Sequence, residues 1–221
     1  MKTDSGLQTD VNAELKWEPL LRSAEIGVSV KDGIVTLTGS VDSYAKKAQA
    51  EDAVKRVAGV RAVVEKIDIK HVGSAANKDD GDIAIEAINA LKAAWDVPSE
   101  KVTVKVEQGW ITLGGELEWN YQSDAARQAV RHLLGIKGVS NGITIRSRAQ
   151  DAVETSDIES ALNRNWAVSD KDIRVKVTDH RATLTGTVHS WYQKDEAERV
   201  AWRAPGVWNV DNALFVEHEN E

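Results

Sequence analysis

Short runs of alternating hydrophobic and polar residues recur three times along the chain. In each run β-branched residues occupy every second position, which is typical of a strand with one buried face. The residues are Ile26, Val28 and Val30, then Val102, Val104 and Val106, and then Ile173, Val175 and Val177. A second hydrophobic run follows each of them after a short turn, at residues 34–37, 110–113 and 182–184. The pattern therefore predicts three β-hairpins.

The turn residues agree with that prediction. Asp32-Gly33 and Gln108-Gly109 supply the positive φ values of a tight hairpin turn. The third hairpin has Asp179-His180 at this place, so either His180 adopts a left-handed conformation or the turn differs.

Helical spacing flanks each hairpin. We predict a first helix over residues 10–18, 82–95 and 156–166, with Ser156–Glu159 as a capping box for the third of these. A second helix follows each hairpin, capped in the third copy by Ser190, and a third strand follows that helix. Apolar residues mark the second helix at positions i, i+4 and i+7: Ala50, Val54 and Val57; Ala126, Val130 and Leu133; Ala197, Ala201 and Ala204.

The resulting order is helix, strand, strand, helix, strand. Because a helix returns the chain between the second and third strands, those two should be parallel, whereas the hairpin strands are antiparallel. We predict an α+β fold of three tandem αββαβ modules, each a small mixed three-stranded sheet with two helices on one face. The predicted boundaries are 1–72, 79–148 and 152–221.

Two glycines keep their register in every copy. The first ends the second strand and the second lies 20 residues later, so we predict structural roles for both, namely unusual dihedral angles, a close backbone approach or a helix C-terminus. Similarity at a long fixed period indicates a repeated module. The glycines are Gly39, Gly115 and Gly186, and then Gly59, Gly135 and Gly206.

Both glycines, together with the strand and helix patterns, resemble the BON domain, which is named for bacterial OsmY and nodulation proteins. The matching segments are Asp32–Gly39 with Val57–Val60, Gln108–Gly115 with Leu134–Ile136, and Ala182–Gly186 with Pro205–Val207. The resemblance implies the fold derived above. It also implies a role in envelope or osmotic-stress physiology, with binding to phospholipid surfaces in several members.

The composition and charge exclude several kinds of site and of binding partner. The 221 residues include no cysteine, which excludes disulfides and thiolate sites, and the net charge is −7. The third copy carries most of the negative charge, so general nucleic-acid binding is not expected. No hydrophobic run is long enough to span a bilayer. The N-terminus lacks the apolar segment of a signal peptide, which predicts a cytoplasmic protein, or a periplasmic one only if a signal had been removed.

No catalytic constellation stands out, and we expect no enzyme activity, no metal site and no cofactor. The five histidines form no pair with the spacing of metal ligands, and the glycines form no phosphate-binding loop.

Tryptophan is unusually frequent, with 8 Trp against 1 Phe. Trp95 and Trp166 occupy equivalent positions, which predicts core packing at the end of the first helix. The others are specific to one copy, and we assign them to contacts between modules or between chains, with contact to a membrane interface as the alternative. These are Trp17, Trp110, Trp119, Trp191, Trp202 and Trp208.

One basic cluster lies on the second helix of the first copy. Because Glu51 and Asp52 lie between its members, the pattern favours a solvated helix face, and a contact for anionic headgroups is the functional alternative. The cluster comprises Tyr44, Lys46, Lys47, Lys55 and Arg56. The sequence thus favours a non-enzymatic, self-associating scaffold of stress or envelope-linked physiology. It leaves open a peripheral phospholipid-binding protein, a small-ligand-binding protein or an unrecognised enzyme.

Overall fold

The computed structural model describes residues 3–21, 26–73, 78–146, 155–168 and 172–217. The first module contains helix α1 (Asp4–Trp17), strands β1 (Ile26–Lys31) and β2 (Ile34–Val41), helix α2 (Tyr44–Arg56) and strand β3 (Ala62–Ile69). The second contains α3 (Asp80–Ala93), β4 (Val102–Glu107), β5 (Trp110–Leu117), α4 (Asn120–Arg131), β6 (Gly138–Asn141) and β7 (Thr144–Ile145). The third contains α5 (Thr155–Asn163), β8 (Arg174–Thr178), β9 (Arg181–Val188), α6 (Trp191–Trp202) and β10 (Asn209–Val216).

The sheets confirm the predicted topology. Each hairpin is antiparallel, and the third strand lies beside the second. In the third module β10 pairs with β9 in parallel over eight residues. The second module differs in that its third strand is divided into β6 and β7, both parallel to β5. The fold is therefore α+β, with three small mixed sheets and six helices in the described chain.

The helices begin where side chains cap them. Thr3 Oγ1 accepts a hydrogen bond from the Gly6 amide at 3.1 Å, so α1 begins earlier than the pattern predicted. Ser190 is confirmed as the cap of α6, with its hydroxyl accepting from the Gln193 amide at 3.2 Å. The capping box predicted at Ser156 is wrong, because α5 already begins at Thr155.

A carboxylate at the start of the first helix holds the hairpin turn in two modules. The Asp4 carboxylate accepts hydrogen bonds from the amides of Asp32 and Gly33, at 2.9 and 3.2 Å. Asp80 does the same for the turn at 108–109, at 2.7 and 2.8 Å. These bonds satisfy amides that the tight turn leaves exposed.

The third turn is built differently. Asp179 and His180 both have positive φ, at 48° and 64°. The His180 ring stacks on Trp208 with 4.0 Å between centroids, and its Nδ1 lies 2.7 Å from the Gly206 carbonyl oxygen. Tertiary contacts therefore stabilise a left-handed histidine where the other copies have glycine.

The first of the two glycines in register does not end the second strand as predicted, because the strand continues two residues beyond it in every module. It has a positive φ in each copy, 131° at Gly39, 122° at Gly115 and 123° at Gly186. A Cβ would stand 2.1 Å from the Lys101 carbonyl oxygen at Gly115, and 1.8 Å from the Asp172 oxygen at Gly186. The backbone thus passes too close for any side chain. The second glycine has φ between 87° and 95° in all three copies and lies in the turn beyond the second helix: Gly59, Gly135 and Gly206.

The chain divides into two compact units. One combines the third module with most of the first, and the other combines the second module with Ser40–Ala48. In the first unit, Trp191 Nε1 donates to the Arg61 carbonyl oxygen at 3.2 Å, and the Gly59 amide donates to the His189 oxygen at 3.4 Å. In the second unit, Tyr44 packs against the hydrophobic core built around α3 and α4.

Candidate functional site

A tryptophan projects into solvent near the end of the first helix in every module. Trp17 is 84% exposed, Trp95 is 94% exposed and Trp166 is 87% exposed. Trp17 ends α1, and the other two lie two and three residues after α3 and α5. The prediction that Trp95 and Trp166 pack in the core is therefore wrong.

The reason lies in the residue that closes the core at this end. The apolar position there is taken by a smaller side chain in each copy, and all three are buried: Leu21, Val97 and Val168. Because that buried position is occupied, the nearby indole, four residues before Leu21 and two before Val97 and Val168, stays outside the core. An exposed side chain of this size near the end of the first helix in every copy favours a surface role over a packing role.

Beside this tryptophan lies a cleft between the first and second helices. In the third module the cleft has a volume of about 640 Å³, and its walls include Trp166, Arg164 and Arg203. In the first module the corresponding cleft has a volume of about 470 Å³, with Trp17 and Arg56 at its walls. Both are open to solvent and hold one aspartate, Asp157 or Asp10.

A hydrogen bond between an amide and a carboxylate joins the two helices at each of these clefts. In the first module Gln49 Nε2 donates to the Glu18 carboxylate at 2.8 Å. In the third module, Asn165 Nδ2 donates to the Glu196 carboxylate at 2.6 Å. The amide and the carboxylate have exchanged helices, so the tie is the same but the negative charge has moved. The second module has alanine at both places.

Because the carboxylate is Glu18 in the first module and Glu196 in the third, it binds a different arginine in each, Arg56 or Arg199. Arg56 donates to Glu14 at 2.8 Å and also to Glu18. Burial alone would lower the pKa of Arg56, but these two glutamates raise it overall. In the third module burial would raise the pKa of Glu196, yet the hydrogen bonds from Arg199 and Asn165 lower it.

The predicted basic cluster is largely neutralised by neighbouring acids. Lys46 pairs with Asp42 at 2.6 Å, and Lys55 with Glu51 at 2.8 Å. Lys47 also has an interaction partner, and Arg56 is paired as described above. Tyr44 faces a hydrophobic core instead of the lysines. The structure therefore gathers these residues on one helix without leaving their charges unpaired.

The remaining tryptophans have varied environments. Trp191 contacts the first module through Arg61, and Trp202 packs on the core of its own module. Trp208 stacks on His180, and Trp110, which is 52% exposed, covers Gly138 on the adjacent strand. Trp119 is half-buried at the start of α4.

The described part of the chain contains neither a cluster of metal-ligating side chains nor a helix suited to cross a bilayer. Over the ranges that the structure covers, no group of three His, Asp or Glu side chains converges as a metal site requires. His218 lies outside those ranges. Among the helices within them, none is both long enough and apolar enough to cross a bilayer.

The sequence model of the BON domain family matches this chain three times, at residues 3–71, 79–147 and 150–217. The chain belongs to the BON domain family. It is also 31% identical over 144 residues to osmotically-inducible protein Y of Escherichia coli strain K12, covering 62% of this chain and 72% of that protein. An alignment of 144 residues is about as long as two of the three modules. It supports the assignment to the family.

Two solved structures also align with this chain. Both are of CdsD, a structural protein of the type III secretion system of Chlamydia trachomatis, one being its C-terminal domain. They are 16% and 17% identical to this chain, with coverage of 93% and 96% of this chain and 90% and 98% of those chains. The TM-score is 0.26 in both cases, too low to support a structural argument.

Proposed function

We propose that this BON-family chain is a non-enzymatic binding protein that docks on phospholipid surfaces through the tryptophan at the end of each first helix. The observation that supports this is the nearly complete exposure of Trp17, Trp95 and Trp166, one near the end of the first helix in each of the three modules. Indole rings are enriched at membrane interfaces, where an apolar body and a polar N–H are both accommodated. We further propose that the protein acts in osmotic-stress physiology, as the name of its Escherichia coli relative suggests.

The ion pairing of the basic cluster determines how this binding should respond to salt. Lys46, Lys55 and Arg56 already have carboxylate partners, so they add little free positive charge for a headgroup. Binding through indole rings depends on buried apolar area, which salt does not screen. We therefore expect moderate salt to weaken attachment only slightly.

Vesicle flotation tests this function. The triple variant W17A/W95A/W166A should lose co-flotation with phosphatidylcholine–phosphatidylglycerol vesicles by roughly 100-fold, because three linked contacts act together. The matched control is Trp110→Phe, which alters an exposed indole elsewhere on the chain. Co-flotation of the triple variant at the wild-type level would contradict the proposal. Loss of co-flotation in the K46E/K47E variant, with the triple tryptophan variant unaffected, would also contradict the proposal.

A second candidate is self-association, which the edge strands favour. In the third module β10 lies at the edge of its sheet, and Phe215 on that strand is 59% exposed. Within the described chain no strand pairs with its outer side. An open edge of this kind can accept a strand from another copy. Sedimentation equilibrium decides the question: a mass of one chain at high concentration excludes a scaffold built by self-association.

A further inference from the structure

The clefts of the first and third modules differ at three aligned positions in a way that concentrates positive charge in one of them. The residues aligned with Glu14 and Glu18 are Ala161 and Asn165, while Arg56 is matched by Arg203. The third difference places Arg164 where the first module has Trp17; the exposed indole of the third module comes instead from Trp166, two positions on. At these positions two acids are lost and one arginine is gained, while a carboxylate is added at Glu196.

The consequence is a pair of arginines without partners. Among the residues that the structure describes, the guanidinium groups of Arg164 and Arg203 make no hydrogen bond or ion pair. The carboxylate of Glu196, on the second helix, is already bound by Arg199 and by Asn165. Arg203 interacts with that carboxylate only through its longer-range field. Two arginines without an ion pair are unexpected here, because the third module has the largest excess of acidic over basic residues.

The rest of the cleft is suited to an apolar body. Its floor and walls include Ile158, Val200 and Pro205, and the Trp166 ring stands at its side. Its volume of about 640 Å³ is within the range of small-molecule sites. Asn165 fixes this side by donating to Glu196 and accepting from the Ala167 amide at 3.0 Å. The wall next to the indole is thus held in place.

From these features we infer that the α5–α6 cleft of the third module binds a phosphate group carried on a flat or apolar body. Arg164 and Arg203 would hold the phosphate oxygens, because guanidinium groups form strong charge-assisted bonds to phosphate. The Trp166 ring would cover the body of the ligand. Asp157, which supplies a carboxylate to the described wall of the cleft, would accept a hydrogen bond from a ligand hydroxyl or amine. This site does not depend on Trp17 or Trp95, so it goes beyond the proposed membrane docking.

The phosphate could come from a soluble molecule or from a lipid headgroup, and the experiment separates the two. Calorimetric titration of the full chain with adenosine monophosphate, with adenosine and with inorganic phosphate measures the soluble source. Titration with a short-chain phosphatidic acid below its micellar concentration measures the lipid source. We expect one site per chain for at least one phosphate-bearing probe, and no measurable binding of adenosine.

Substitutions locate the site. R203A and R164A should each weaken binding about tenfold, since each removes a hydrogen bond to a charged group. R56A is the matched control in the first module and should leave the affinity unchanged. Failure of every phosphate probe to bind overturns the inference. Binding that R203A and R164A leave unaltered, in proteins with wild-type circular dichroism, overturns it as well.

Discussion

Substituting Gly115 by alanine should destabilise the second module far more than substituting its neighbour Gly114. Both glycines lie in β5, so the two variants add the same methyl group one residue apart. At Gly114 the nearest atom to a new Cβ is the Thr103 hydroxyl oxygen at 2.9 Å, which can rotate away. At Gly115 the nearest atom is the Lys101 carbonyl oxygen at 2.1 Å, which belongs to the backbone.

The magnitude follows from two terms. A φ of 122° is a conformation that residues with a side chain rarely adopt, at a cost of about 1–3 kcal/mol. The carbonyl must also withdraw by roughly 1 Å to reach ordinary contact, which disturbs the end of the β4–β5 pairing and adds about 1 kcal/mol or more. We expect a loss of about 3 kcal/mol for G115A and under about 1 kcal/mol for G114A, whose cost is a rotamer change.

Urea unfolding of the full chain, with hydrogen exchange of the β4–β5 amides to assign the transition, measures the difference. With a slope of about 2 kcal/mol per molar urea, G115A should lower the midpoint by roughly 1.5 M and G114A by less than about 0.5 M. Equal midpoints for the two variants would refute the reasoning, because it depends on the contrast between a movable hydroxyl and a fixed carbonyl.

Two further predictions concern polar contacts. Burial would raise the pKa of Glu196, but hydrogen bonds from Arg199 and Asn165 lower it below its ordinary value of 4.5, so its stabilisation is present above pH 4.5 and is lost as the pH falls further. E196Q should therefore reduce stability at pH 7 by about 1 kcal/mol and flatten its decline below pH 4.5 in thermal melts; an unchanged acid slope would count against this. Trp191→Phe removes the bond to the Arg61 carbonyl and should speed amide exchange at Gly59 several-fold, whereas unaltered exchange would mean that this bond does not hold the two modules together.

Period-2 alternation, turn residues and a repeated register were sufficient to predict the fold. They specify which face of each strand is buried and which strands are parallel, and the structure confirms both. The sequence left open whether His180 is left-handed or the third turn differs, because the stack on Trp208 that accommodates a left-handed His180 joins residues far apart in sequence.

The candidate site was less accessible to sequence reasoning. Hydrophobicity alone assigned Trp95 and Trp166 to the core, because it could not show that Val97 and Val168 already occupy the buried position. The pairing of Arg56 with Glu14 spans 42 residues and requires the packing of α1 against α2. Comparison of the copies does carry a signal: the third module keeps an arginine, Arg203, aligned with Arg56 but has no acid aligned with Glu14 or Glu18, whereas the second module has His132 in place of the arginine.

The central claim is that the three indole rings near the ends of the first helices, and not the others, contact the membrane. Fluorine NMR of protein labelled with 5-fluorotryptophan tests it directly, because single substitutions assign all eight resonances. On addition of phospholipid vesicles, the account predicts that the signals of Trp17, Trp95 and Trp166 shift or broaden first. A response confined to other tryptophans, or no response in any resonance, would contradict it.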